Sequence, residues 1–108
     1  METGTLGALQ KQVRQWTSSV GNGYFSELTN MAILSEEVGE VARIIARRYG
    51  DQTEKGTERD KDLGEELCDV LFVVLCLADQ TGMDLDKAWQ QRMEKKTIRD
   101  KDRWKDLS

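Results

Sequence analysis

Apolar side chains recur every three or four positions along most of this chain, and short polar or glycine-rich breaks divide the pattern into four segments. The first runs from Thr5 to about Val20, with Leu6, Leu9, Val13, Trp16 and Val20 at helical spacing. Gly21-Asn22-Gly23 ends it, because these residues tolerate positive φ. Tyr24 and Phe25 follow on the connection. Ser26 suits the N-cap of a second helix that reaches about Tyr49 and stops at Gly50, with Met31, Leu34, Val38, Val41 and Ile45 as its apolar stripe. Residues 51–57 are polar and read as an exposed loop. Thr57-Glu58-Arg59-Asp60 fits a capping box, and a third helix then covers roughly Glu58 to Gln80, ending near Gly82. Asp84 is placed to cap a fourth helix that begins at Leu85 and carries Ala88, Trp89 and Met93 inward. Four helices with short links predict an all-α, four-helix bundle-like fold, one domain over residues 1–108.

The third helix departs from the amphipathic pattern. From Leu67 to Ala78 every residue is apolar except Asp69. A helix apolar nearly all round is more than one small bundle can cover, so this helix, with the second, is expected to pack against another copy of the chain in a homodimer or homotetramer. Burying an ionised carboxylate without a partner is costly, yet nothing basic lies within a turn of Asp69, and Glu65 and Glu66 add negative charge one turn back. The partner must come from elsewhere in the fold or from a metal ion. The second helix has a similar feature: Glu36, Glu37 and Glu40 interrupt its apolar positions. Glu37 and Glu40 are three apart, as are Glu66 and Asp69, and residues so spaced stand about 60° apart in projection, on one face. Packed together, the two helices can form a four-oxygen site. Read one at a time, the glutamates are better explained as a surface ion pair, Glu40 with Arg43, or as solvated side chains at Glu36, Glu65 and Glu66; the joint pattern is what points to a site.

Composition narrows the chemistry. The 108 residues include no proline, and 33% are charged, which suits helices with long solvated faces. A net charge of −4 argues against a surface built for a nucleic-acid polymer. There is no histidine. That removes the commonest general base and transition-metal ligand, and with it the Glu-x-x-His motifs of di-iron bundles. A metal site here would be all carboxylate and water, which favours Mg²⁺, with Mn²⁺ as a substitute. Cys68 and Cys76 are eight apart within the apolar run, too far to bridge on one helix, and read as small buried hydrophobes in a reducing cytoplasm. No signal-peptide pattern is present and no apolar stretch is long enough to span a bilayer, so a cytoplasmic protein with no membrane partner is expected.

Ser35-Glu36-Glu37-Val38-Gly39-Glu40, followed by Glu65-Glu66-Leu67-Cys68-Asp69-Val70, resembles the Glu-Glu-x-x-Glu and Glu-x-x-Asp signature of MazG-type nucleotide pyrophosphohydrolases, within the all-α NTP pyrophosphatase superfamily. The closing Lys95 and Arg99-Asp100-Lys101-Asp102-Arg103-Trp104 is similar to the tail of the short, single-domain YpjD-type members. One departure is Thr97, near where the family often has an asparagine. The resemblance implies Mg²⁺-dependent cleavage of a nucleoside triphosphate between its α and β phosphates, giving a monophosphate and pyrophosphate, with a role in cleaning nucleotide pools. It implies Glu37, Glu40, Glu66 and Asp69 as metal ligands. Glu36, about 40° from Glu40 in projection, is the candidate to orient or deprotonate the attacking water. Lys95, Arg99 and Arg103 are candidates for the phosphates, and Tyr24 and Phe25 for stacking on the base. Trp16 and Trp89, at helical spacing, fit the core better. Competing expectations are a non-catalytic helical oligomer whose acids are structural, and a related phosphoribosyl-ATP or dUTP pyrophosphohydrolase.

Overall fold

The computed structural model describes residues 4–50 and 62–104. They form four helices and no strand: α1 (Leu6–Ser19), α2 (Glu27–Tyr49), α3 (Leu63–Gln80) and α4 (Leu85–Asp100). The loop and capping box expected over residues 51–60 lie outside the described residues. None of the described helices is long and apolar enough to cross a membrane.

Each helix starts where a short polar side chain can take up orphan backbone N–H groups. Thr5 accepts from the Ala8 amide at 3.0 Å, Ser26 from Thr29 at 3.2 Å, Asp62 from Gly64 at 2.7 Å, and Asp84 from Asp86 at 3.1 Å. The third helix therefore begins at its Asp62 cap. At its far end the Met83 N–H returns to the Ala78 carbonyl (2.9 Å) and the Gly82 N–H to Asp79 (3.1 Å), a Schellman turn. Gly82 sits at φ 73°, which glycine alone adopts without strain.

Helices α1, α2 and α3 make the packed unit, with Val13, Leu75 and Cys76 at its centre and Leu9, Tyr24 and Leu85 against them. Helix α4 is attached to α1 mainly through polar bonds. Asp86 accepts from the first-turn amides of Leu6 and Gly7, both at 3.0 Å, placing a carboxylate on the positive end of α1. Gln10, buried, donates to the Met83 carbonyl (2.7 Å) and accepts from the Leu85 amide (3.0 Å). A Cβ on Gly7 would lie 2.6 Å from Asp86 Oδ2, so only glycine permits this approach.

Four expectations about burial change. Helix α4 buries no residue, and Trp89 and Met93, expected to point inward, are 62% and 41% exposed. Cys68 is exposed while Cys76 is buried, and both are free thiols. Asp69 is itself exposed, and Leu67, Leu71 and Phe72 around it are open on one side, so the run is not interior all round. The stripe on α2 is also turned. Asn30 and Ile44 are buried and Ile33, Glu37 and Glu40 half-buried, whereas Met31, Val38 and Ile45 are exposed. Leu34 and Val41 are half-buried. The acids of α2 thus sit on the side that meets α3, and part of its apolar stripe is left outside.

Candidate active site

Because Glu37 lies on the inner side of α2, its carboxylate faces the start of α3, where Glu66 and Asp69 share one face a turn apart. One oxygen from each of Glu37, Glu66 and Asp69 lies within 4.8 Å of the others. No basic side chain forms an ion pair with any of the three among the described residues. The electrostatic consequence shows at Glu37, whose carboxyl is pushed above its ordinary value by burial first, and then by Asp69, Glu66, Glu40 and Glu36. A cluster of like charges that raises the proton affinity of its own member is a place where a cation would be held. The donor set fits a hard divalent ion. Six oxygens at about 2.1 Å around Mg²⁺ stand about 3 to 4.2 Å apart, so small side-chain rotations bring these three into range. Four-oxygen convergence was expected; three oxygens meet that distance, while Glu40, half-buried one turn on, acts on Glu37 through its charge. Glu36 is exposed beside them.

The acids open onto a cleft of about 450 Å³, in the range of small-molecule sites. Glu37 and Asp69 line one part of it. Trp16, Tyr24, Phe25 and Phe72 supply aromatic walls, and Asn22 and Asn30 polar ones. Trp16 and Phe72 meet edge to face, with centroids 5.7 Å apart. The two connection residues expected at the base, Tyr24 and Phe25, do line the cleft; so does Trp16, which the helical spacing had placed in the core.

What holds that wall is a feature the sequence pattern did not reveal. Asp79, its side chain 9% exposed, receives Arg14 through Nη2 at 2.6 Å and Nε at 3.0 Å, and the Tyr24 hydroxyl at 2.6 Å. Arg14, with help from Tyr24, holds the Asp79 carboxyl below its ordinary value. Burial, and then the bond to Asp79, pushes the Tyr24 phenol up to about 12. The available signal was a second acid on an apolar helix, ten positions after Asp69. Asn30 was also missed. It is buried, and with Gln80 it holds the Phe25 carbonyl.

Lys95, Arg99 and Arg103 are not among the residues that line the cleft. All three are exposed on or just after α4. Arg99 pairs with its neighbour Asp100 at 2.9 Å, and Arg103 approaches the same carboxylate at 3.6 Å while stacking on Trp104.

Residues 25–104 match the family profile of the MazG nucleotide pyrophosphohydrolase domain. The chain is 44% identical over 104 residues to the uncharacterised YpjD of Bacillus subtilis strain 168, covering 96% of this chain and 94% of that one. It is 29% identical over 100 residues to YvdC of the same organism, covering 87% and 94%. The crystal structure of Bacillus subtilis YpjD superimposes with a TM-score of 0.76 at 39% identity, covering 88% of this chain and 95% of that one. A Bacillus-conserved MazG protein, a nucleotide pyrophosphohydrolase, superimposes with a TM-score of 0.70 at 39% identity, covering 88% and 91%.

Proposed function

This chain belongs to the MazG nucleotide pyrophosphohydrolase family, and from that premise we propose that it cleaves ribo- or deoxyribonucleoside triphosphates between the α and β phosphates, releasing a monophosphate and pyrophosphate. The observation that carries the reading is the meeting of Glu37, Glu66 and Asp69 at the edge of an aromatic cleft. Glu37, Glu66 and Asp69, with Glu40 behind them, hold a divalent ion, Mg²⁺ or Mn²⁺. When bound there, the ion supplies positive charge against the phosphates and acidifies water. Glu36 orients the attacking water or takes its proton. The aromatic walls stack on the base and exclude solvent, which strengthens every charge interaction beside them.

The exposed apolar faces support an assembly of two or four copies. Leu28 and Met31 on α2, Leu67 and Leu71 on α3, and Trp89 and Ile98 on α4 are all open in the single chain. Lys95, Arg99 and Arg103 are assigned to the phosphates from that setting, since they do not line the cleft of their own chain. We read residues 1–108 as one domain, because α1, which lies wholly before the matched segment, packs on α3. The two free thiols suit a reducing cytoplasm.

The test is a panel of standard, deoxy and modified triphosphates with Mg²⁺, scored for monophosphate plus pyrophosphate against diphosphate plus phosphate. Pyrophosphate release that disappears with a chelator supports the reading. Triphosphates left intact at high enzyme concentration, or diphosphate as the product, would overturn it.

A further inference from the structure

The cleft wall contains a polar atom that the chain leaves unanswered. Asn30 is 5% exposed and lines the cleft. Its side-chain nitrogen donates to Gln80 Oε1 at 2.7 Å and to the Phe25 carbonyl at 3.4 Å. The Gln80 nitrogen donates in turn to the Phe25 carbonyl at 2.8 Å and to Glu27 Oε1 at 3.0 Å. A carboxylate and a carbonyl can only accept, so the direction of this relay is fixed from its outer end. Gln80 must turn its nitrogen to Glu27 and therefore its oxygen to Asn30, which must answer with nitrogen. Asn30 Oδ1 is what remains, and it accepts from no donor among the described residues. A buried acceptor without a donor is costly enough to call for a ligand.

We propose that Asn30 Oδ1 is the specificity-determining contact for the nucleobase, accepting from an exocyclic amino group and so favouring cytosine- and adenine-type nucleotides over their keto counterparts. This rests on the cleft being the nucleotide site, as proposed above. Glu37 follows Asn30 by seven residues on α2, a rise of about 10 Å at 1.5 Å per residue. That is comparable to a nucleoside measured from its 5′ phosphorus to the far edge of its base. With the phosphates at the acids, the base lies between the aromatic walls, and its leading atom is the C4 substituent of a pyrimidine or the C6 substituent of a purine. An amino group there completes the relay. A keto oxygen there sets one acceptor against another, and the ring N–H beside it meets the wall only after that oxygen has.

The experiment is calorimetric titration of the full chain in Mg²⁺ with hydrolysis-resistant α,β-imido triphosphates in matched pairs, dCTP against dUTP and dATP against dITP. The wild type binds the amino member of each pair about tenfold or more tightly. Asn30→Leu brings each pair to within about twofold. Asn30→Ala removes the same oxygen without adding bulk and brings each pair equally close, so this second variant keeps the test open if Asn30→Leu loses its fold. Equal binding of both members by the wild type, or an undiminished ratio in either variant, overturns the proposal. Turnover of dCTP and dUTP is scored separately. Amino preference without pyrophosphate release removes the reaction and leaves the contact; release without preference does the reverse.

Discussion

Helix α3 carries two aspartates ten residues apart, and the chain treats them in opposite ways. Asp79 is enclosed and answered by Arg14 and the Tyr24 hydroxyl, so its carboxyl is held below the ordinary range. Asp69 stands among Glu37 and Glu66 with no basic partner among the described residues, and its charge helps push the Glu37 carboxyl up. An acid whose charge is balanced by the fold is holding structure. An acid whose neighbours make matters worse is kept for something the chain itself does not contain. Burial does not separate the two roles here as the sequence reading supposed, because Asp69 is exposed and Asp79 is the more enclosed.

This contrast can be broken by substitution, and the largest effect is expected at Asp69. Asp69→Asn should lower pyrophosphate release about a thousandfold, on the several kcal/mol that a metal ligand's position is worth to the reaction, while leaving the urea midpoint equal or higher as repulsion is relieved. Asp79→Asn should do the reverse in the same assays: a loss of about 1–3 kcal/mol in urea unfolding, from the buried hydrogen bonds that Tyr24 and Arg14 no longer complete. Mg²⁺ should raise the melting temperature of the wild type, by as much as about 2.7 kcal/mol of linkage at a hundred times its dissociation constant, and leave Asp69→Asn unmoved.

The pH dependence of stability sharpens the same comparison. In metal-free buffer at a pH above its raised folded value, Glu37 is ionised in both folded and unfolded chains, and its crowding subtracts stability. As pH falls through its raised folded value the native state takes up the proton first, and that loss is relieved before the ordinary glutamate value is reached. Asp79 runs the other way. Its contribution is whole above the ordinary aspartate value and disappears only as pH falls through the lowered folded one. Urea midpoints measured from pH 7 downward should therefore lose the upper feature in Glu37→Gln and the lower one in Asp79→Asn. The smallest effect is expected at Arg99→Ala. Its partner is the adjacent, solvated Asp100, so the urea midpoint should not move, and any change should appear as a higher KM.

Much of this arrangement is local and could be read in the chain. Ser26 and Asp84 cap the helices they were expected to cap, Gly50 ends α2, and the spacing of Glu66 and Asp69 does put both on one face. What spacing within a helix does not give is the direction in which the helix is turned. On α2 the spacing was read as a stripe through Met31, Val38 and Ile45, which stays outside, while the stripe one residue before it, bearing Glu37 and Ile44, faces α3. The bonds that shape the cleft were hidden for a similar reason. Arg14 reaches Asp79 across 65 positions and Asn30 reaches Gln80 across 50, and no local pattern announces such pairs. Helix α4 was expected to pack inward because Trp89 and Met93 are large and apolar, but it buries no residue and leaves both side chains open.

The central claim is that Glu37, Glu66 and Asp69 are gathered to hold a divalent ion. Titrating Mn²⁺ into the protein and following its electron paramagnetic resonance signal tests this without reference to any substrate. The account predicts saturable loss of the free-ion signal by wild type, competition by Mg²⁺, and no such loss with Asp69→Asn. Wild-type protein that leaves the signal untouched, or a variant that binds as well as wild type, would contradict it.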